Sequence, residues 1–338
     1  MHNTKNYFEH PGKAIAAGAG FEHVMSVALN SRGGYKEGMI RCITSREGDL
    51  QVAGYIDRSE LHKVQMLSSG HFEIGDRLVI KNESEIIDQI CGKEREFIGL
   101  EDPDIWIDEK SGMMHAYFTI PLRSINHQPD LIHLGHAVGK DMDSLEMTMP
   151  ILMSGKEGIS GKEVSIAPIN KNKFRYNLVE SATEGKEFWY STIRVAIAED
   201  MGMPWKFGDT LFNPEEYNIP WIAGHASPGP LLPDTFMDIG EGIRLGIING
   251  REANQREGDK IKYGMFSVGL FIYNFENGKI EWVSPEPFIQ DSQAKTITFA
   301  SQFVETKRGS GVLYAHVDDS FVRAYTIDAD KIKSLVPK

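Results

Sequence analysis

The stretch Gly99–Pro121, GLEDPDIWIDEKSGMMHAYFTIP, holds the hairpin on which the reading of the whole chain turns. Ile105 and Ile107 alternate with Asp104, Trp106 and Asp108, the period of a half-buried strand. Glu109-Lys110-Ser111-Gly112 is turn chemistry, and Met113–Ile120 is a second strand rich in Tyr, Phe, Thr and Ile. Two adjacent carboxylates, Glu101 and Asp102, open the unit, and Pro103 stiffens the backbone after them. A carboxylate fixed on a rigid element suits general acid or base chemistry. The same pair also serves where a strand start merely needs solvation.

Working outward, a turn followed by a short strand recurs five times, beginning at Gly38, Gly112, Asn172, Gly242 and Gly311, with starts 74, 60, 70 and 69 residues apart. Each copy follows another strand candidate: Val24–Leu29, Asp104–Ile107, Val164–Ile169, Gly229–Leu232 and Thr296–Phe299. More strand-like sequence comes after, as in Phe188–Ile197 and Phe266–Tyr273, while long amphipathic helical patterns are nearly absent. Five units of about four strands predict an all-β chain folded as a five-bladed β-propeller, in which radial repetition leaves few open edges. The expectation is one domain over residues 1–338, with blades at roughly 15–90, 91–155, 156–215, 216–290 and 291–338, the last joined by the N-terminal segment. A pair of β-sandwiches with accidental spacing is the competing architecture.

Antiparallel pairing puts the start of each first strand and the end of each second strand on one rim. Asp102 and Glu163 lie at first-strand starts, and His225 lies a few residues before the strand of the fourth unit. Arg41, Glu180, Asn249 and Asp318 close second strands. These polar residues are expected to converge on one mouth of the central channel.

Bulk properties narrow the partners. The 338 residues are 41% hydrophobic, 25% charged and 10% aromatic, and the net charge is −12. Such a balance argues against nucleic acid or an anionic membrane and is compatible with a neutral partner such as a sugar. No apolar run reaches the roughly 18 residues of a membrane span. The N-terminus, MHNTKNYFEHPGKAIAAGAG, lacks the apolar core of a secretory signal, and Cys42 and Cys91 are too few for a disulfide framework or a zinc site. The chain therefore reads as cytoplasmic, with a secreted form whose signal is removed as the alternative. No His/Glu cluster has metal-ligand spacing, so neither a metal nor another cofactor is expected. Gly18-Ala19-Gly20 lacks the strand–turn–helix setting of a nucleotide loop. Oligomeric state is open.

Four pieces in chain order carry a resemblance: Gly99-Leu-Glu-Asp-Pro-Asp-Ile105; Lys162-Glu163-Val-Ser-Ile-Ala-Pro168 with Lys173-Phe-Arg-Tyr-Asn-Leu-Val-Glu180; Gly224-His-Ala-Ser-Pro-Gly-Pro230 with Tyr263 and Gly264; and Leu313-Tyr-Ala-His-Val-Asp318. At these positions the sequence resembles glycoside hydrolase family 130, five-bladed propellers that contain β-mannoside phosphorylases and β-mannosidases. The arabinanase and invertase kinds of five-bladed glycosidase, which also place an Asp before a Pro on the second blade, are a second match. By the family resemblance Asp102 corresponds to the proton donor, Asp318 to a sugar-binding aspartate and Arg41 to a first-blade arginine of the site. The departures are Asp104 in place of an arginine, Glu180 where the phosphorylases carry an arginine, and Asn249 where they carry a histidine.

A phosphate dianion wants cationic donors, so Glu180 in such a place disfavours phosphorolysis and favours a polarised water. The resulting expectation is inverting hydrolysis of a β-linked oligosaccharide, mannoside by the resemblance, with Asp102 as acid and Glu180 as base. Glu163 and then Glu252 are the substitutes for the base, and Glu101, Asp104, His225, Asn249, Tyr263, Arg41 and Asp318 are expected around the substrate. Glu101 and Asp104 would raise the proton affinity of Asp102 if they share its cavity. Glu180 paired with Arg175 or Lys186 is the purely structural alternative. Trp221 is the tryptophan placed to stack on a sugar ring, and the loops Asp200–Pro220 and Ile247–Lys262 would set specificity. A phosphate-dependent phosphorylase holding its anion with Arg41, Arg58 or Arg251, an arabinoside-cleaving furanosidase, and a non-catalytic carbohydrate-binding propeller remain as alternatives.

Overall fold

A computed structural model describes residues 7–18, 20–126, 130–154, 160–184 and 189–337. The described residues form five antiparallel blade sheets in sequence order, the five blades of a β-propeller, and one separate two-stranded hairpin. Blade one is His23–Leu29, Glu37–Glu47, Ile56–Met66 and Phe72–Arg77, and the helix Glu83–Cys91 leads out of it. Blade two is Glu101–Ile107, Met114–Ser124, Leu131–Gly139 and Glu146–Met147, with Arg95–Phe97 pairing on the far end of Met114–Ser124. Blade three is Lys162–Ser165, Arg175–Glu184, Trp189–Ala198 and Lys206–Phe212. Blade four is His225–Leu231, Ile243–Arg251, Phe266–Asn274 and Lys279–Val283. Blade five is Thr298–Lys307, Ser310–Val317 and Phe321–Asp328, completed by Tyr7–Glu9 from the other end of the chain.

Two sets of contacts close the ring. The first strands of neighbouring blades touch in the order one–two, two–three, three–four, four–five and five–one. The buried apolar side chains fall into five clusters, each straddling two adjacent blades. Thus Met39 and Leu61 of blade one pack on Met114 and Phe118 of blade two. Leu178 and Ile193 of blade three pack on Ile248 and Phe271 of blade four. Each fully buried aliphatic or aromatic side chain contributes roughly 1.5–3 kcal/mol, so the face-to-face seams hold the blades in register. Tyr7–Glu9 is locked beside Phe321–Asp328 by Arg323, whose Nε lies 2.6 Å from Asp291 Oδ2 and 3.3 Å from Glu9 Oε1.

The five-fold tiling expected from the sequence is the observed one, and the innermost strands differ in length. The fourth begins at His225, earlier than Gly229, and runs through Pro228 and Pro230. Proline within a run ordinarily argues against a strand. Here the strand is the edge facing the channel, where no partner needs its N–H.

All five innermost strands break register at the same level, between Met25 and Val27, Glu101 and Asp104, Lys162 and Ser165, Pro228 and Leu231, and Ala300 and Gln302. These bulges bring Ser26, Asp102, Glu163, Gly229 and Ser301 to one ring around the axis. Ser26, Asp102 and Glu163 adopt the left-handed region, with φ of 46°, 45° and 50°. Non-glycine residues held there cost on the order of 1–3 kcal/mol each and cluster at functional sites.

Candidate active site

A cavity of about 320 Å³ opens on one side of this ring, with Arg41, Asp102, Lys162, Glu163, Glu180, His225, Arg251, Tyr263, His316 and Asp319 among its lining. A second, of about 170 Å³, lies on the other side and shares Asp102 and Glu163 with the first. The floor of the larger cavity is a chain of hydrogen bonds running around the axis. Ser26 Oγ donates to Asp102 Oδ1 at 3.0 Å, Arg41 Nη1 reaches the same oxygen at 3.0 Å, and the carboxyls of Asp102 and Glu163 are bonded to each other. Arg41 Nη2 also holds Glu101 Oε1 at 2.5 Å.

Two buried carboxyls in contact cannot both be ionised cheaply. Burial pushes Asp102 up, but Arg41 and Lys162 outweigh it and leave Asp102 below the usual carboxylate range. Burial and then the Asp102 charge push Glu163 well above it. The shared proton therefore rests on Glu163, whereas the sequence reading puts the acid on Asp102 and expects its proton affinity to be raised. Glu101, buried and beside Asp102 but offset by Arg41, is pushed up to about 7.

On the wall, Glu180 Oε1 accepts from Ser191 Oγ at 2.8 Å and lies 3.4 Å from Lys162 Nζ. Its Oε2 is 3.0 Å from His225 Nε2. Burial raises its proton affinity, and His225 with Lys162 more than reverse this, so Glu180 is an anion. Burial keeps the His225 ring neutral against the pull of Glu180. Its Nε2 and Glu180 Oε2 are in ion-pair range but are not aligned as a hydrogen bond, so the ring can take up charge beside the Glu180 carboxylate. Across the cavity the backbone N–H of Ser26 donates to His316 Nδ1 at 3.3 Å, which places that ring's proton on Nε2, 3.2 Å from Asp319 Oδ1.

Arg251 is held differently from the other cations. Its guanidinium lies 4.2 Å from the centre of the Tyr263 ring and 5.3 Å from that of Phe266. Its Nη2 donates to Gly224 O at 3.4 Å, its buried Nε has no hydrogen-bond partner, and among the described residues no carboxylate forms an ion pair with it.

A strap adjoins the larger cavity, whose lining includes Leu50 and Tyr263 at the strap's two ends. The hairpin Gln255–Glu257 with Lys260–Lys262, inserted in blade four, pairs with the blade-one loop around Gln51–Ala53. Ala53 N donates to Ile261 O and Tyr263 N to Gln51 O, both at 3.0 Å. Part of the expected specificity loop Ile247–Lys262 is therefore a bridge between blades one and four beside the cavity.

Of the residues expected at the site, Arg41, Asp102, Glu163, Glu180, His225 and Tyr263 line the larger cavity, and Glu101 sits behind Arg41. Four expectations need correction. Asp318 turns away to cap a loop, accepting from the N–H groups of Lys295, Thr296 and Ile297, and its neighbour Asp319 faces the cavity instead. Both residues have left-handed φ, so one tight turn reverses which of them faces in. Asn249 is fully buried and clamps blade four to blade five, donating to Ala300 O at 3.0 Å and accepting from Ala300 N at 2.8 Å. Asp104 lines the smaller cavity beyond the ring. Trp221 is a core residue, packed over Gly250 and Gly269 with its indole N–H on Ser284 O at 3.0 Å.

Glu252 accepts from Met265 N at 3.3 Å and is not part of the cavity lining. Glu180 pairs with Lys162 and His225 and not Arg175; Lys186, like residues 1–6 and Ala19, lies outside the described residues. Lys162, Ser26, Asp319 and Tyr55 were not singled out in the sequence. Lys162 stands beside Glu163 in a quoted motif, and Ser26 occupies the bulge position equivalent to Asp102. Among the described residues no three His, Cys, Asp or Glu side chains form a metal-holding group, and no helix is long and apolar enough to cross a membrane.

The five-bladed propeller fold is shared with solved carbohydrate-active enzymes. The chain is similar to a β-1,2-mannobiose phosphorylase from Listeria innocua, with a TM-score of 0.65 over 98% of this chain and 99% of that one at 13% identity. It is also similar to a mannose phosphorylase from Leishmania mexicana solved with a phosphate ion (TM-score 0.52, 99% and 88% covered, 13% identity). An endo-arabinase from Bacteroides thetaiotaomicron superposes with a TM-score of 0.52 over 94% of this chain and 97% of that one, again at 13% identity. At such identities the likeness establishes the fold. No family model and no curated protein matches the sequence.

Proposed function

We propose that the chain is a glycosidase that hydrolyses a β-linked oligosaccharide, a mannoside by the family resemblance, with inversion at the anomeric carbon. The observation that carries this reading is the division of one cavity between a carboxyl pair holding a proton, Asp102–Glu163, and a separate ionised carboxylate, Glu180. An acid and a base on two sides of a scissile bond are the requirements of glycoside hydrolysis. The pair delivers its proton to the leaving oxygen. Glu180 and the neutral ring of His225 receive the proton of the attacking water, Glu180 orienting the imidazole and stabilising it as it charges. Arg41 holds Asp102 ionised, so that the proton stays on the atom that gives it away. The cavity volume is at the lower end of the roughly 300–1,000 Å³ of small-ligand sites, and the strap narrows its mouth, which supports attack at a chain end. The named activities of the structural neighbours support a carbohydrate substrate.

A second reading rests on Arg251. A buried guanidinium with no carboxylate partner suits an anion, and phosphate held there would replace water as the nucleophile. Lys162 already offsets the charge of Glu180, so that charge opposes phosphate less than the sequence alone suggests. The experiment is a product assay on β-mannosides and arabinosides with and without phosphate. Free reducing sugar formed independently of phosphate supports hydrolysis. Phosphate-dependent turnover that yields a sugar phosphate overturns it in favour of phosphorolysis, and turnover of arabinosides alone overturns the mannoside assignment.

A further inference from the structure

We propose that the smaller cavity on the far side of the bulge ring is a proton passage, with Asp104 as the relay that returns a proton to Glu163 from solvent after each turnover. The inference rests on the glycosidase reading above and follows from its proton balance. When the leaving oxygen takes the proton of Glu163 and the Glu180–His225 pair takes one from water, the acid side ends one proton short and the base side one proton over. Both must exchange with solvent before the next cycle. On the base side the half-buried His225 lines the larger cavity and gives an exit there. The acid pair lies at the bottom of a cavity narrowed by the strap and filled by sugar, so product would have to leave before protons could enter from above.

The ring offers another way. Asp102 and Glu163 line both cavities, so the carboxyl pair is reached from below as well as from above. Gly229 contributes no side chain to the ring, and Ser26 and Ser301 contribute small hydroxyls. The smaller cavity is bordered by the half-buried Ile105, Trp106, Val164, Ile166 and Gln302, so it communicates with solvent. A polar passage of this size accepts water with partners on its walls.

Asp104 is placed in that passage two residues from Asp102 and on the same strand. Its Oδ1 accepts from Ile105 N at 2.8 Å. The titratable groups around it are Asp102 and Glu163 within the cavity and Tyr117, its partner on the adjacent strand; Arg175 lies over Trp106 from blade three. Burial pushes Asp104 up to about 7, which suits a group that both takes and gives a proton near neutrality. Tyr117 is pushed well above its ordinary range by burial and then by Asp104, so it stays protonated. An arginine at this position would close the passage to a relay carboxyl.

The test is steady-state turnover of wild type, Asp104→Asn, Asp104→Glu and Ile166→Trp in weakly buffered solution and with added formate or imidazole. Expected are a kcat at least tenfold lower in Asp104→Asn with KM unchanged, recovery in Asp104→Glu, and restoration of Asp104→Asn by small buffers. Ile166→Trp, which fills the cavity and removes no titratable group, should lower kcat without buffer rescue. Wild-type kcat in both Asp104→Asn and Ile166→Trp overturns the relay. A readout independent of turnover separates this from failure of the glycosidase reading: deuterium exchange of the protonated carboxyl, followed by infrared spectroscopy with the larger cavity filled by a thio-linked oligosaccharide. Exchange slowed at least tenfold by Asp104→Asn supports the passage, and an unchanged rate overturns it, whatever reaction the larger cavity performs.

Discussion

Arg41, in the second strand of blade one, reaches across the blade boundary to Asp102 at 3.0 Å and, with its other terminal nitrogen, to Glu101 at 2.5 Å. One planar guanidinium thus fixes two consecutive carboxyls from a position 6% exposed, a geometry a lysine cannot reproduce. Burial works against this cation, yet Glu101 and then Asp102 hold it firmly charged. Removing it leaves Asp102 buried without its counter-charge. Arg41→Ala is expected to cost about 3–5 kcal/mol of stability and to raise the proton affinity of Asp102, blurring which carboxyl of the pair holds the proton. Urea unfolding at pH 7 measures the first. Arg41→Lys should recover part of the stability and little of the activity.

Glu163 supplies the clearest catalytic prediction. Burial and the Asp102 charge hold its proton on through neutral pH, so the donor form is lost only as pH rises through its elevated pKa. Activity should therefore fall on an alkaline limb. Glu163→Gln removes that limb and lowers kcat on unactivated glycosides by about 10²–10⁴-fold, the usual size of one acid–base contribution. Aryl glycosides with good leaving groups need little protonation and should be spared. A loss of equal size on both substrate kinds would count against Glu163 as donor.

The blade number and the position of Asp102 were legible in the sequence because turn-and-strand spacing survives where side-chain identity does not. Reading first-strand starts and second-strand ends as one rim groups Asp102, Glu163 and His225 with Arg41 and Glu180, and these five line one cavity. What the sequence left hidden was local. Asn249 and Asp318 sit at the expected levels, but a cross-blade hydrogen bond and a left-handed turn point them elsewhere. Trp221 fills space left by Gly250 and Gly269, residues far along the chain. The bulge that turns Glu163 towards Asp102 requires a left-handed non-glycine residue, which no propensity rule anticipates.

The strap carries a specificity prediction. Ala53–Ile261 and Tyr263–Gln51 are backbone hydrogen bonds between blades one and four, which are not neighbours in the ring. Replacing residues 255–262 by a short Gly/Ser turn would open the mouth and leave the sheets intact, since this hairpin is a two-stranded sheet of its own, outside the five blade sheets. The expected outcome is a rise of about tenfold or more in KM for di- and trisaccharides with a smaller change for longer chains, a difference of about 1.4 kcal/mol. Equal effects at every chain length would argue that the strap plays no part in binding.

Blade two holds three buried histidines, His115, His133 and His136, and the two deepest are expected to shape the acid limb of stability. His133 Nδ1 accepts from Ser154 N at 2.9 Å, and His136 joins His115 and Thr148, both at 2.9 Å. Burial, followed by the Arg95 charge, lowers His133 to about 4; burial and then His115 lower His136 to about 3. The folded chain therefore refuses protons that the unfolded chain binds below its ordinary value of about 6.5. Their contribution is intact above pH 6.5 and is lost as pH falls from there towards 4 and 3, at up to about 1.4 kcal/mol per pH unit for each ring. Glu101 and Glu163, whose proton affinities are raised, change stability in the opposite sense as pH falls, so the net slope of the wild type mixes the two. His136→Gln isolates the histidine. The variant should be about 1–3 kcal/mol less stable at pH 7.5, from the polar partners it leaves. That deficit should shrink by about 1 kcal/mol or more in urea unfolding at pH 5, and a deficit constant across this range would show that His136 does not set the acid limb.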